Sequence, residues 1–212
     1  MKRIVKDPEE RKKEIVEAAE RLFMTAGYEQ TAVSDIVGEV NVSQGAFYYY
    51  FKSKEDVLVA VLEKNLSAME GDFRQIAERS DLDEAVKLNY MFNRFIKNGL
   101  TGKKIMGFIH QSQDANLHTK MLKMRPFSKM APIVAEVVSR GIEKGRFSVS
   151  YPIETSHILL MLLGVFIFAL DQLEAPDGLG QIKGHKENMR MALEDQLART
   201  LGVNDYRFFL QI

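Results

Sequence analysis

Apolar residues recur along this chain at helical spacing. Ile15, Ala19, Leu22 and Phe23 stand at i, i+4, i+7 and i+8, which is one face of an amphipathic helix. Asp7-Pro8-Glu9-Glu10 ahead of them reads as a helix start: Asp7 can cap, Pro8 suits the first turn, and Glu10 can close a capping box. Gly27 reads as the stop, because glycine readily takes the left-handed conformation past a helix end. Val33, Ile36, Val37 and Val40 then predict a short helix capped by Thr31, and Ser43 predicts the start of another. From Ser53 a long helix runs through Val57, Leu58, Val61 and Leu62 toward Arg79.

Helical punctuation continues to the end. Leu88, Met91, Phe92 and Phe95 form a face of a helix capped by Ser80 or Asp81 and ended by Asn98-Gly99. A further segment runs from Lys103 to about Ala115. Another runs from Leu117 to Lys144, where Pro126 and Pro132 predict a break or kink and Gly145 a stop. Ile158 to Leu170 is an unbroken apolar run behind Pro152, shorter than the about 20 residues a membrane span requires. It reads as a helix buried on most of its circumference. Glu174 to Gly184 reads as a loop. Met189, Leu193, Leu197 and Leu201 form a last stripe ended by Gly202. No alternating pattern of useful length is present, so the expected fold class is all-α.

Composition narrows the chemistry. Hydrophobic residues make up 46% and charged residues 27% of the 212 residues, which supports burial of a core and excludes wholesale disorder. There is no cysteine, which excludes a disulfide scaffold, Cys-ligated metal and thiol catalysis. The absence fits a reducing, cytoplasmic setting. His110, His118 and His157 lack the i, i+4 spacing of a helical metal pair, so neither metal nor cofactor is expected. No Gly-rich phosphate loop or nucleophile elbow is present, and no enzyme activity is expected.

The segment Thr31–Lys54, TAVSDIVGEVNVSQGAFYYYFKSK, carries the function. Two short helices joined by a tight turn form a helix-turn-helix, and the second is of a size for the DNA major groove. The turn requires a residue that accepts positive φ, and Asn41 does so at lower cost than most. The second helix offers Gln44, Gly45, Ala46, Tyr48 and Tyr49, while Phe47 and Phe51 belong to the core. Gln44 can pair bidentately with adenine, and the Ala46 methyl can touch thymine. Tyrosine hydroxyls and Lys54 suit phosphate oxygens.

Ile36 through Leu58 resembles the TetR family of bacterial transcription regulators. The likeness rests on Val42-Ser43, Gly45, the Tyr48-Tyr49-Tyr50-Phe51 cluster and Lys52-Ser53-Lys54-Glu55 with Leu58. Leu22-Phe23 and Gly27-Tyr28 extend it upstream. Two departures are Val40-Asn41 where the family has Ala-Gly, and Val37 where it has Ala; both imply slight repacking of the hairpin. The resemblance implies that Gln44, Gly45, Ala46 and Tyr48 face base edges or the groove. It places Thr31, Ser43, Tyr49 and Lys54 near phosphate. It also implies a division into an N-terminal three-helix DNA-binding domain, 1–56, and a helical effector-binding and dimerisation domain, 57–212.

Further implications concern the second domain. The run Ser139-Arg140-Gly141-Ile142-Glu143-Lys144-Gly145-Arg146-Phe147 is a pattern seen in many members. The last two long helices would pair with those of a second subunit, through Leu159, Leu162, Leu163, Met189, Leu193 and Leu197. An effector pocket, largely apolar, would be lined by Phe92, Phe95, Met106, His110, Met121, Met124, Phe127 and Phe166, since Met and Phe make adaptable apolar walls. The implied partners are double-stranded operator DNA, a small effector and a second copy of the chain, with no membrane. Two rivals stand against this ligand-responsive repressor: a helical enzyme using His110 as acid or base, and a protein-binding adaptor using the tyrosine cluster.

Charge qualifies the DNA reading. Lys+Arg and Asp+Glu both number 29, so the net charge is zero. That excludes indiscriminate electrostatic binding and leaves room for a few directed phosphate contacts. Lys2, Arg3, Lys6, Arg11, Lys12, Lys13, Lys52 and Lys54 concentrate positive charge in and ahead of the module.

Overall fold

The computed structural model describes residues 7–101, 119, 126–173 and 184–212. Among them are eight helices: α1 (Pro8–Thr25), α2 (Val33–Glu39), α3 (Gln44–Tyr50), α4 (Lys54–Ala77), α5 (Glu84–Thr101), α6 (Pro126–Glu143), α7 (Pro152–Leu173) and α8 (His185–Leu201). The chain is all-α, with an N-terminal helix-turn-helix module and a C-terminal helical domain. Contacts divide it into two compact units within α4, between Ser67 and Ala68.

In the first unit, α1 begins as its sequence predicts. The Asp7 carboxylate accepts the Glu9 N–H at 2.8 Å, and Pro8 takes the first turn. Gly27, at φ +95°, lets the chain leave α1. Ile15, Ala19, Phe23, Ile36, Phe47, Leu58 and Val61 close a single core under α1 to α4. Thr31 does not cap α2. Ala32 is the residue at that boundary, and Asp35 turns back to accept its N–H at 2.7 Å. Ser53 caps α4: its hydroxyl accepts the Asp56 N–H at 3.3 Å while Asp56 accepts the Lys52 N–H at 3.1 Å.

In the second unit, α7 packs on α6 and α5, and α8 packs on α7. The α5 face is as the periodicity predicts, with Leu88, Met91, Phe92 and Phe95 buried. Its ends are not. Asp83, rather than Ser80 or Asp81, caps it by accepting the Ala85 N–H at 2.8 Å. The helix also runs through Asn98-Gly99. Gly99 is there for packing: a Cβ would lie 2.5 Å from Ile167 Cδ1 of α7. Pro132 sits inside α6 without ending it. The proline gives up a backbone bond, and burial of Met130, Ala131, Ile133 and Val134 on either side holds the helix in place.

Buried charges tie this unit together. Glu84, 1% exposed, accepts from Lys144 at 2.8 Å and from Lys87 at 3.2 Å. Burial would raise the Glu84 carboxyl, but these two ammonium groups outweigh it and hold the group below its usual range. A window of α7, Pro152–Leu170, is long and apolar enough to cross a bilayer, with mean hydropathy 2.1. One third of that window is buried inside the unit, along the side that meets α5 and α6.

Candidate nucleic-acid interface

The hairpin of α2 and α3 turns on Asn41, whose φ is +53° and which is the only non-glycine residue with positive φ among the described residues. The Val42 N–H returns to the Val37 carbonyl at 3.0 Å and closes the turn. Ser43 then caps α3, its hydroxyl accepting the Ala46 N–H at 3.2 Å. Helical phase does the rest. Phe47, fully buried, and Phe51 fasten α3 to the core, with ring centroids 5.9 Å apart. Gln44, Gly45, Tyr48 and Tyr49 are thereby turned to solvent, Tyr48 55% and Tyr49 78% exposed.

The exposed face has a consistent chemistry. Gln44 and Tyr48, one turn apart, present an amide and a hydroxyl side by side. Between them Gly45 leaves the backbone bare. A Cβ there would meet nothing closer than Ser43 Oγ at 3.8 Å, so no internal contact demands glycine. Ala46 is half-buried at the edge of this face. Tyr49 and Tyr50 meet edge to face at 4.9 Å, which orients the Tyr49 ring beside the helix.

Two expected phosphate ligands are placed elsewhere. Thr31 is 2% exposed, and its hydroxyl donates to the Gly27 carbonyl at 2.7 Å. Lys54 Nζ donates to the carbonyls of Tyr28 and Thr31 at 2.8 and 2.9 Å and lies 4.2 Å from the Tyr28 ring centroid. Its ammonium is thus spent inside the module. Neighbouring Tyr28 donates its hydroxyl to Glu55 at 3.1 Å. Burial would raise the Glu55 carboxyl, but hydrogen bonds from its backbone, Ser53 and Tyr28, with the Lys54 charge, hold it below the usual carboxylate range. The exposed cation beside α3 is Lys52. On α1, Arg11 pairs with Glu14 at 2.8 Å, and Arg21 with Glu39 on α2 at 2.7 Å. Lys2, Arg3 and Lys6 lie outside the described residues.

The C-terminal candidates fare differently. Met106, His110, Met121 and Met124 lie outside the described residues, as does His118. His157 is held within its own helix, Nδ1 3.0 Å from the Ile153 carbonyl. Phe95 and Phe127 meet at 6.2 Å, and the Phe127 ring lies against Gly164. Phe166 is 5% exposed, and Phe92 is fully buried against Phe208 at 5.8 Å. None of these four lines the open groove of about 620 Å³ that the unit presents between Ile76, Leu82, Tyr90, Arg94 and Leu100.

Of the expected dimer contacts, Leu159, Leu163, Leu193 and Leu197 are buried in the chain's own core, so they are not available to a partner. Leu162 and Met189 are half-buried. The residues that face outward from α7 are Ile158 (59%), Met161 (54%), Val165 (64%) and Phe168 (48%), with Met191 (43%) on α8. The exposed Glu154 marks this phase in the sequence, since 154, 158, 161 and 165 recur at i, i+4, i+7 and i+11.

Comparison with known proteins agrees with this architecture. Residues 15–61 match the family described as bacterial regulatory proteins, tetR family, and residues 105–174 match the tetracyclin repressor-like C-terminal domain. Together these cover more than half of the chain. The transcriptional regulator HbdR of Aromatoleum sp. (strain CIB) is 40% identical over 80 residues, which is 36% of this chain and 35% of HbdR. The A-factor receptor protein of Streptomyces griseus is 39% identical over 56 residues, 26% of this chain and 20% of the receptor. The chain spans between 18% and 52% of the length of the curated relatives it matches. A TetR-family regulator structure from Pectobacterium atrosepticum superposes with a TM-score of 0.71 at 17% identity, covering 94% of this chain and 98% of that one; at this identity the likeness is one of fold.

Proposed function

Since the chain belongs to the TetR family of bacterial regulatory proteins, we propose that it is a cytoplasmic, ligand-responsive repressor that reads a palindromic operator as a homodimer. The family is one of transcription regulators and not of enzymes, and its members act as dimers on operator DNA under small-molecule control. The observation that carries the reading for this chain is the solvent-facing Gln44–Tyr48 surface of α3, held by buried Phe47 and Phe51 on a turn that Asn41 makes possible. A two-fold protein reads a two-fold site, so two copies of α3 would enter successive major grooves. Gln44 and Tyr48 read base edges, with Gly45 and Ala46 admitting close approach. Ser43, Tyr49 and Lys52 meet the backbone. An effector that favours the conformation with the two modules wrongly spaced releases the DNA. That the A-factor relative is a receptor by name supports effector control here.

The purified protein, offered a random duplex pool, is expected to enrich a two-fold symmetric sequence, and no enrichment would sink the reading. Gln44→Ala is expected to relax the preference at one base pair in each half-site by about 1–3 kcal/mol, with binding to random duplexes unchanged. Loss of preference spread over the whole site would show that Gln44 does not read a base.

The outward stripe of α7 supplies the dimer contact in this reading. Ile158, Met161, Val165 and Phe168 form an apolar ridge that the single chain leaves in water, and a second copy packed about a two-fold axis would cover it. Val165→Lys is expected to weaken the dimer about 100-fold, because it buries an unpaired ammonium. Light scattering on a dilution series reads this. A dimer as tight as the wild type would move the interface elsewhere.

A further inference from the structure

Lys54 is the first residue of α4, yet its ammonium is used 23 and 26 positions back in the chain. Both of its acceptors are backbone carbonyls of the segment that leads into α2. Tyr28 O also accepts the Thr31 N–H at 3.3 Å, and the Thr31 hydroxyl reaches back to Gly27 O at 2.7 Å. The segment 27–31 is therefore a tight connection in which the Tyr28 and Thr31 carbonyl oxygens are gathered toward one point. Without a cation those oxygens would crowd their negative ends together at a site that Thr31 and Tyr28 keep nearly dry. Lys54 supplies the charge, and the Tyr28 ring face at 4.2 Å completes its coordination. That ring is itself fixed, 5.0 Å from Phe23 of α1 and hydrogen-bonded through its hydroxyl to Glu55.

The consequence reaches α3. Residue 31 is two residues before α2, and α2 carries α3 through the Asn41 turn. The position at which α2 starts is set by where the carbonyls of Tyr28 and Thr31 are held, and they are held from α4. Lysine suits this role because its ammonium is a compact point charge with three donors, able to serve two carbonyls and a ring face at once.

We propose that Lys54 is a positioning residue for DNA reading, an internal cation that fixes the angle at which α3 is presented, and not a ligand of phosphate. This rests on the reading of α3 as the DNA-binding helix. The two roles differ in what they do to salt dependence. A lost phosphate contact lowers the slope of log K against log salt by about 0.9 and weakens specific and random duplexes alike. A lost positioning contact leaves the slope alone and removes discrimination.

The test uses the full-length protein, its own best duplex from a random pool, and one random duplex, at a temperature where circular dichroism shows wild type and Lys54→Met equally folded. Lys54→Met is expected to bind the selected duplex about tenfold more weakly, to bind the random duplex as before, and to keep the wild-type salt slope. A slope flattened by about one contact, with equal losses on both duplexes, would make Lys54 a phosphate ligand and overturn the proposal. An unchanged ratio of specific to random affinity would also overturn it, leaving Lys54 a purely structural tie. Should the wild type select no sequence, the DNA reading itself falls. Hydrogen exchange at the Thr31 and Ala32 amides then decides the internal part: faster exchange in Lys54→Met upholds the tether, and unchanged exchange refutes it.

Discussion

Gly45→Glu is expected to abolish specific DNA binding while leaving the protein folded, dimeric and as stable as the wild type. The separation follows from what surrounds this residue. Gly45 lies on the exposed side of α3, where an added Cβ meets only Ser43 Oγ at 3.8 Å. A glutamate therefore fits the free protein, and replacing glycine inside a helix improves its propensity by up to about 1 kcal/mol. Bound to DNA, the same side chain would stand between the helix and the groove floor. It would hold the backbone off and bring a carboxylate against phosphates and base acceptors. Like charges brought together at an interface cost several kcal/mol, so a loss of more than about 100-fold is expected. Gly45→Ala should fall between, because it costs space without charge. The measurement is a binding titration beside a thermal melt. Retained binding by Gly45→Glu would show that α3 does not face DNA, while a collapsed melt would show a packing demand absent from the structure.

The outward face of α3 is legible in the sequence because that helix can be phased. Phe47 and Phe51 are one turn apart, and burying them forces Gln44, Tyr48 and Tyr49 outward. Stops marked by Gly27, Gly145 and Gly202 are also true left-handed positions, with φ of +95°, +66° and +67°. Gly99 carries the same letter for another reason. It lets α5 approach Ile167, and nothing in its local sequence separates a close contact from a helix end. The α7 stripe is illegible for a related cause. Thirteen successive apolar residues, Ile158 to Leu170, hide the helical phase. Leucines draw the eye there, while the exposed positions Ile158, Met161 and Val165 are those that Glu154 keeps in register. Lys54 shows the limit more sharply. Its partners are backbone carbonyls, which are present at every position and so leave no mark in a sequence.

The extended C-terminal segment carries the other large effect. Phe208→Ala is expected to destabilise the C-terminal unit by about 3–5 kcal/mol, the usual cost of emptying a buried aromatic site. Phe208 is fully buried between Phe92 of α5 at 5.8 Å and Tyr206 at 5.2 Å. Side chains alternate along this segment: Phe208 and Leu210 point inward, Phe209 and Gln211 outward. No strand lies alongside among the described residues, and side chains supply the pairing instead. Asn89 Oδ1 accepts the Phe209 N–H and Asn93 Nδ2 donates to the Phe209 carbonyl, both at 2.8 Å. Asn93 Oδ1 accepts the Gln211 N–H, and buried Glu194 of α8 accepts the Leu210 N–H, both at 2.7 Å. If Phe208 no longer anchors the segment, the Phe209, Leu210 and Gln211 amides lose these acceptors together, while Glu194 keeps Arg190 as its partner, and the lost bonds add to the cost of the emptied site. Phe209→Ala is the control. That ring is 61% exposed beside the Arg190 guanidinium, and its loss should cost under about 1 kcal/mol. Melts of the two variants decide it: about 10 °C is expected for Phe208→Ala against a few degrees at most for Phe209→Ala. Equal small shifts would mean that the C-terminal segment does not hold α5 to α8 in solution.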